Sequence, residues 1–102
     1  MSVNNVFRVL LIQEQSGNME RPVWVAQALD MDFAAHGDNV KDAQTALYNQ
    51  ILDHFFVCNE TGSSSTLPEA PQLYFELYNQ AYEIKSDFFN FKAKQHKKTL
   101  RL

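Results

Sequence analysis

Four aspartates and a histidine fall within thirteen residues: Asp30, Asp32, His36, Asp38 and Asp42. Carboxylates and an imidazole are ligand types for a divalent ion, and an ion on Asp30, Asp32 and His36 would activate water in a small metal-dependent hydrolase. The same side chains have a second use. Aspartate in a turn bonds to nearby backbone, which suits Asp30 and Asp32, and a carboxylate at a helix N-terminus faces the positive end of the dipole, which suits Asp38 and Asp42. Turn and cap chemistry accounts for all four. The three histidines, His36, His54 and His96, are dispersed and follow no HxxxH spacing, so no metal site is expected. There is no Ser-His-Asp order, Gly-rich phosphate loop or paired-carboxylate motif. The sequence therefore predicts a protein that is not an enzyme, with no catalytic residues and no cofactor. A single cysteine, Cys58, precludes an internal disulfide or a multi-cysteine cluster and reads as an inert, buried helical thiol.

Charge and aromatic content point to binding instead. The chain carries a net −3, unevenly spread. Residues 1–84 hold three basic and eleven acidic side chains, whereas residues 85–102 hold six basic and one acidic. Lys92, Lys94, Lys97, Lys98 and Arg101 behind Phe88, Phe89 and Phe91 form a basic tail of the kind that contacts phosphates and stacks bases, the basis of an alternative nucleic-acid-binding function. The simpler expectation is that this tail docks on the acidic body of its own or a neighbouring subunit, or stays solvated. Tyr74, Phe75, Tyr78, Tyr82, Phe88, Phe89 and Phe91 are too many aromatics for one helical stripe, so some are expected to face a partner or a second copy. A homodimer is the commonest symmetric solution.

The elements that position these residues follow from periodicity. At 102 residues, 45% hydrophobic and 13% aromatic, the chain is one domain with material for a core. Residues 6–15 (VFRVLLIQEQ) and 23–29 (VWVAQAL) read as strands, separated by a Ser16-Gly17-Asn18 turn and a loop reaching Pro22. In the second, Val23, Val25, Gln27 and Leu29 share one face, and Trp24, Ala26 and Ala28 the other. Residues 33–36 form a third strand stopped by Gly37. Connections this short join antiparallel neighbours, which gives a meander. Gly37, Asp38 and Asn39 make the turn and cap of a helix over residues 40–57, with Asp38 or Asn39 as N-cap and Gly37 supplying an unusual backbone angle. Ala43 lets this helix sit close on the sheet. Residues 59–71 (NETGSSSTLPEAP) are a loop, and a second, aromatic-rich helix spans about 71–84. Beyond it, residues 85–94 continue the helix or break at Ser86-Asp87 into a short strand or basic arm. The fold class is α+β: a three-stranded antiparallel meander backed by a helix, a second helix, and a C-terminal strand or arm. The core covers about residues 6–57 and the basic tail 85–102. No apolar run reaches the roughly 20 residues of a membrane-spanning helix, and Val9 to Ile12 is too short for a signal-peptide core, so a cytoplasmic protein is expected.

The order VWVAQALDMDFAAHGDNVKDAQTAL, in which Gly37-Asp38 follows two strands and precedes Asp42-Ala43 and Leu47, resembles the HicB-like antitoxin domain. VFRVLLIQEQSG is similar to that family's first strand and hairpin, and the likeness covers about residues 6–56. It implies a three-stranded sheet backed by a helix and a protein that covers the active site of a small ribonuclease toxin. After Phe56 the chain departs from the family members that carry a DNA-binding module: it has neither a helix-turn-helix nor a ribbon-helix-helix pattern. Residues 67–82 (LPEAPQLYFELYNQAY) are similar to the tails of small, standalone HicB-like proteins.

Overall fold

The computed structural model describes residues 5–15, 17 and 20–101, with the Arg101 side chain outside that set, as are Ser16 and Asn18 of the expected turn. The elements in chain order are β1 (Phe7–Gln15), β2 (Val23–Ala28), β3 (Ala34–Gly37), α1 (Val40–Thr61), α2 (Gln72–Asn79), β4 (Tyr82–Glu83) and β5 (Phe91–Arg101). The α+β class and the β1-β2-β3 meander followed by a helix are those the sequence predicts. The sheet is larger than three strands, with the order β3-β2-β1-β5-β4. β5 lies parallel to β1, and the other neighbours are antiparallel. Most of the basic tail is thus a strand of the sheet, paired with β1 on one side and with β4 only at Lys94 and Gln95 on the other.

Strand alternation gives the sheet two apolar faces, and each takes one helix. Phe7, Val9, Leu11, Ala26, Ala28, Phe91 and Ala93 pack with Ala43, Leu47 and Ile51 of α1. Leu10, Ile12, Val25 and Leu29 pack with Tyr78 of α2, joined by Tyr74, Phe75 and Leu77. The division of β2 into a Val23-Val25 face and a Trp24-Ala26-Ala28 face is as the alternation predicts.

The corner from β3 into α1 is set by three small residues. Asn39 is the N-cap, its Oδ1 accepting the Asp42 N–H at 2.8 Å. Alanine at position 39 is expected to cost about 1 kcal/mol, read as a lower urea midpoint with unchanged slope. Gly37 corrects the expectation of an unusual backbone angle: it has no positive φ. Its role is close approach, since a Cβ there would lie 2.3 Å from the Ala43 nitrogen. The left-handed glycine is Gly62 (φ 71°), which ends α1 by donating to the Cys58 carbonyl. The helix thus runs four residues beyond its expected end at Val57, to Thr61.

The loop of residues 62–71 then crosses from one face of the sheet to the other past the β2–β3 turn. Asp32 N–H bonds Pro68 O at 2.8 Å and Ala70 N–H bonds Leu29 O at 3.0 Å. α2 begins at Gln72, behind Pro71, and stops at Asn79, five residues short of the expected end. Tyr82 and Glu83 leave the helix to pair with Gln95 and Lys94.

Candidate partner-binding surface

The acidic cluster disperses into structural tasks. Asp30 accepts the Arg8 N–H at 2.8 Å, Arg8 Nη2 at 2.6 Å and Arg8 Nε at 3.1 Å. The Arg8 guanidinium also lies 5.1 Å from the Phe75 ring centroid, so one cation ties β1 to the turn after β2 and to α2. Asp32 accepts from Nε2 of Gln27, which is 3% exposed and also bonds the carbonyls of Ala28 and Phe33. Asp42 sits in the α1 cap, Asp38 is exposed, and His36 is exposed on β3 opposite Val25. Among the described residues no three His, Cys, Asp or Glu side chains converge, so Asp30, Asp32 and His36 do not form the ligand set considered from sequence.

Burial raises the Asp30 carboxyl, and the bonds from Arg8 outweigh it, holding the group below the usual carboxylate range. The Arg8 guanidinium is raised, chiefly by its bond to Asp30. A depressed folded value contributes stability above the unfolded value of about 3.9 and loses it as pH falls through the folded one. The side chains are 42% and 32% exposed, so the contribution after screening is below about 1 kcal/mol. Asp30→Asn is expected to lower stability at neutral pH and flatten the acid limb below about pH 4, measured by urea unfolding at stepped pH.

His54 and Cys58 stand one turn apart on α1. The His54 Nε2–H donates to Ser65 O at 2.9 Å, and Cys58 Sγ lies 3.7 Å from the same nitrogen. The thiol is half-buried, more open than the buried position expected.

The seven aromatics divide between inside and outside. Tyr78 and Phe91 are buried, and the Tyr78 hydroxyl donates to Lys92 O at 3.0 Å. Tyr74 and Phe75 are half-buried against the α2-side core. Phe88 stacks on Tyr48 at 4.5 Å. Tyr82 (42% exposed) and Phe89 (87% exposed) are the two that remain open. A short helix and a bordering strand thus use most of the aromatic excess within the chain.

The basic residues of β5 are in part anchored as well. Lys94 Nζ lies 4.6 Å from the Tyr78 ring centroid and Lys97 Nζ 5.9 Å from that of Tyr82. Lys92, Lys97 and Lys98 are exposed. β5 carries two extra residues between Gln95, opposite Leu11, and Thr99, opposite Gln13. Such a bulge, with lysines and a two-residue β4, interrupts this sheet edge against indiscriminate strand pairing.

The surface that periodicity did not single out is the far half of α1. Its last buried residue is Ile51, and ten more follow, about 15 Å of helix. On this overhang Phe56 is 58% and Val57 55% exposed. Asp53 and Glu60, one turn before and one turn after, complete a single stripe at positions i, i+3, i+4 and i+7. The stripe is a pair of apolar side chains between two carboxylates. The signal was present in the sequence as two apolar residues on the side of the helix away from Leu47 and Ile51. Among the described residues no helix is long and apolar enough to cross a membrane. Comparison with protein-family models, curated proteins and solved structures finds no match for this chain.

Proposed function

We propose that this chain is a non-enzymatic, cytoplasmic protein-binding module of the HicB-like kind, an antitoxin or antitoxin-derived regulator that masks a small partner protein. The observation that carries this reading is the α1 overhang, where Phe56 and Val57 stand more than half exposed on the stripe with Asp53 and Glu60. Exposed apolar side chains with a charged border are the anatomy of an interface, and carboxylates at the border select a basic partner. A small ribonuclease-type toxin, cationic because it binds RNA, has that chemistry. The meander-then-helix order supports the resemblance from which the toxin is inferred. Self-association belongs to the same proposal, with Tyr82 and Phe89 as the open aromatics. Co-expression with a small toxin-like reading frame encoded beside this one should yield a co-purifying complex that suppresses RNA cleavage. Free toxin in the presence of excess folded protein would reject the reading.

A second reading, nucleic-acid binding through β5, is favoured by the exposed Lys92, Lys97 and Lys98, of which Lys97 lies 5.9 Å from the exposed Tyr82 ring. RNA and duplex DNA titrations at two salt concentrations decide it. Binding that weakens steeply with salt and is lost when the three lysines become glutamine supports it, and its absence at low salt excludes it.

A further inference from the structure

A cavity of about 270 Å³ lies between the end of α2 and the bulged half of β5, lined by Ile12, Leu77, Gln80, His96, Lys98 and Leu100 among others. Ile12 is 1% exposed, and Leu77 and Leu100 pack against the same buried cluster, so the floor is apolar. The polar residues that line it are Gln80, His96, Lys98 and Thr99, of which the lysine is the one charged group. The bulge takes the Lys98 N–H out of the β1 ladder and turns it to His96 Nδ1 at 3.2 Å. The same Nδ1 lies 3.4 Å from Lys98 O, so the ring is held against the bulge backbone through Nδ1. Lys98 and Gln80 line the same cavity. No carboxylate lines this cavity among the described residues, whereas Asp87 and Glu83 each line another cavity that holds a lysine.

We propose that this cavity binds a small apolar carboxylate, with its alkyl chain on Ile12, Leu77 and Leu100 and its head group on Lys98 and His96. Apolar floor and cationic border divide the recognition: burial of the chain supplies affinity, and the donors supply preference for an anion over the matching alcohol. The volume holds roughly nine water-sized groups, which suits a chain of about six carbons with its carboxylate.

The test is a titration of the isotope-labelled full chain with sodium hexanoate and, separately, 1-hexanol, followed by amide chemical shifts. Saturable shifts confined to Ile12 and its neighbours in β1, to the chain from Leu77 to Gln80 and to β5 after Gln95 are expected, with hexanoate binding about threefold or more tightly than hexanol. Lys98→Gln, at an exposed position, is expected to erase that preference while leaving the rest of the spectrum in place. Hexanoate shifts that do not saturate or that scatter over α1 would overturn the proposal. Equal binding of acid and alcohol by the unaltered chain would overturn it as well.

Discussion

Gly37→Ala is expected to destabilise the protein by about 3 kcal/mol or more, at or above the upper end for overpacked sites. The added Cβ would lie 2.3 Å from the Ala43 nitrogen, 2.7 Å from the Asp42 carbonyl carbon and 2.9 Å from the Ala43 Cα. All three atoms are backbone, so no side-chain rotation relieves the clash, and the first turn of α1 must move off β3. That movement would also loosen Ala43 and Leu47, which are fully buried against the sheet. A melting temperature lower by about 12 °C or more is the expected reading for a domain of this size. The other glycines give the contrast. Gly17→Ala meets nothing within 4 Å and is expected to be near neutral. Gly62→Ala carries the strain of a left-handed residue, about 1 kcal/mol, with no clash. If Gly37→Ala melts with the unaltered chain, the close β3–α1 approach is not a determinant of this fold.

Ending the chain at Asn90 is expected to abolish cooperative unfolding. The deletion removes β5, which pairs with β1 along nearly its whole length and with β4. It uncovers Phe7, Val9, Leu10 and Leu11, each at most 1% exposed, and removes the edge-to-face contact of Phe7 with Phe91 at 6.4 Å. α2 also loses the carbonyl of Lys92, which accepts from Tyr78. Changing Lys92, Lys97 and Lys98 together to glutamine removes charge and keeps the strand, so stability is expected to stay within about 1 kcal/mol. A urea transition for the shortened chain with an unchanged slope would show that β5 is the dispensable arm considered from its charge alone.

Elements specified by neighbouring residues are legible in this sequence, and those specified by distant partners are not. The first three strands lie within one residue of their expected bounds, because alternation and short polar connections are set by neighbouring residues. The cap at Asn39 and the small Ala43 were legible for the same reason. α1 was expected to end early because its last turn, Asn59 to Thr61, is polar and runs into serines; Gly62 was the available stop signal. β5 was obscured by its lysines. The alternation Phe91-Lys92-Ala93-Lys94 already has the strand period, with Phe91 and Ala93 buried, but its partner β1 lies some 80 residues earlier, beyond any local pattern. α2 ends early for the same non-local reason, since Tyr82 and Glu83 follow β5 and not the helical stripe that precedes them. Much of the aromatic surplus that suggested an interface is spent on the second face of the sheet, where Tyr74, Phe75 and Tyr78 cover Leu10, Ile12 and Val25 of β1 and β2. The candidate surface moved accordingly, from the aromatic helix to the α1 overhang.

The most direct test of partner masking is to take a small toxin-like protein encoded beside this chain and measure by calorimetry its affinity for the unaltered chain and for the Phe56→Ser/Val57→Ser variant, beside a thermal melt of each. Both side chains are more than half exposed, so the melts should agree within a few degrees. Binding should weaken by about 2 kcal/mol or more, roughly thirtyfold, as expected for the apolar centre of an interface. Equal affinities with equal melts would contradict the claim that this face of α1 holds the partner.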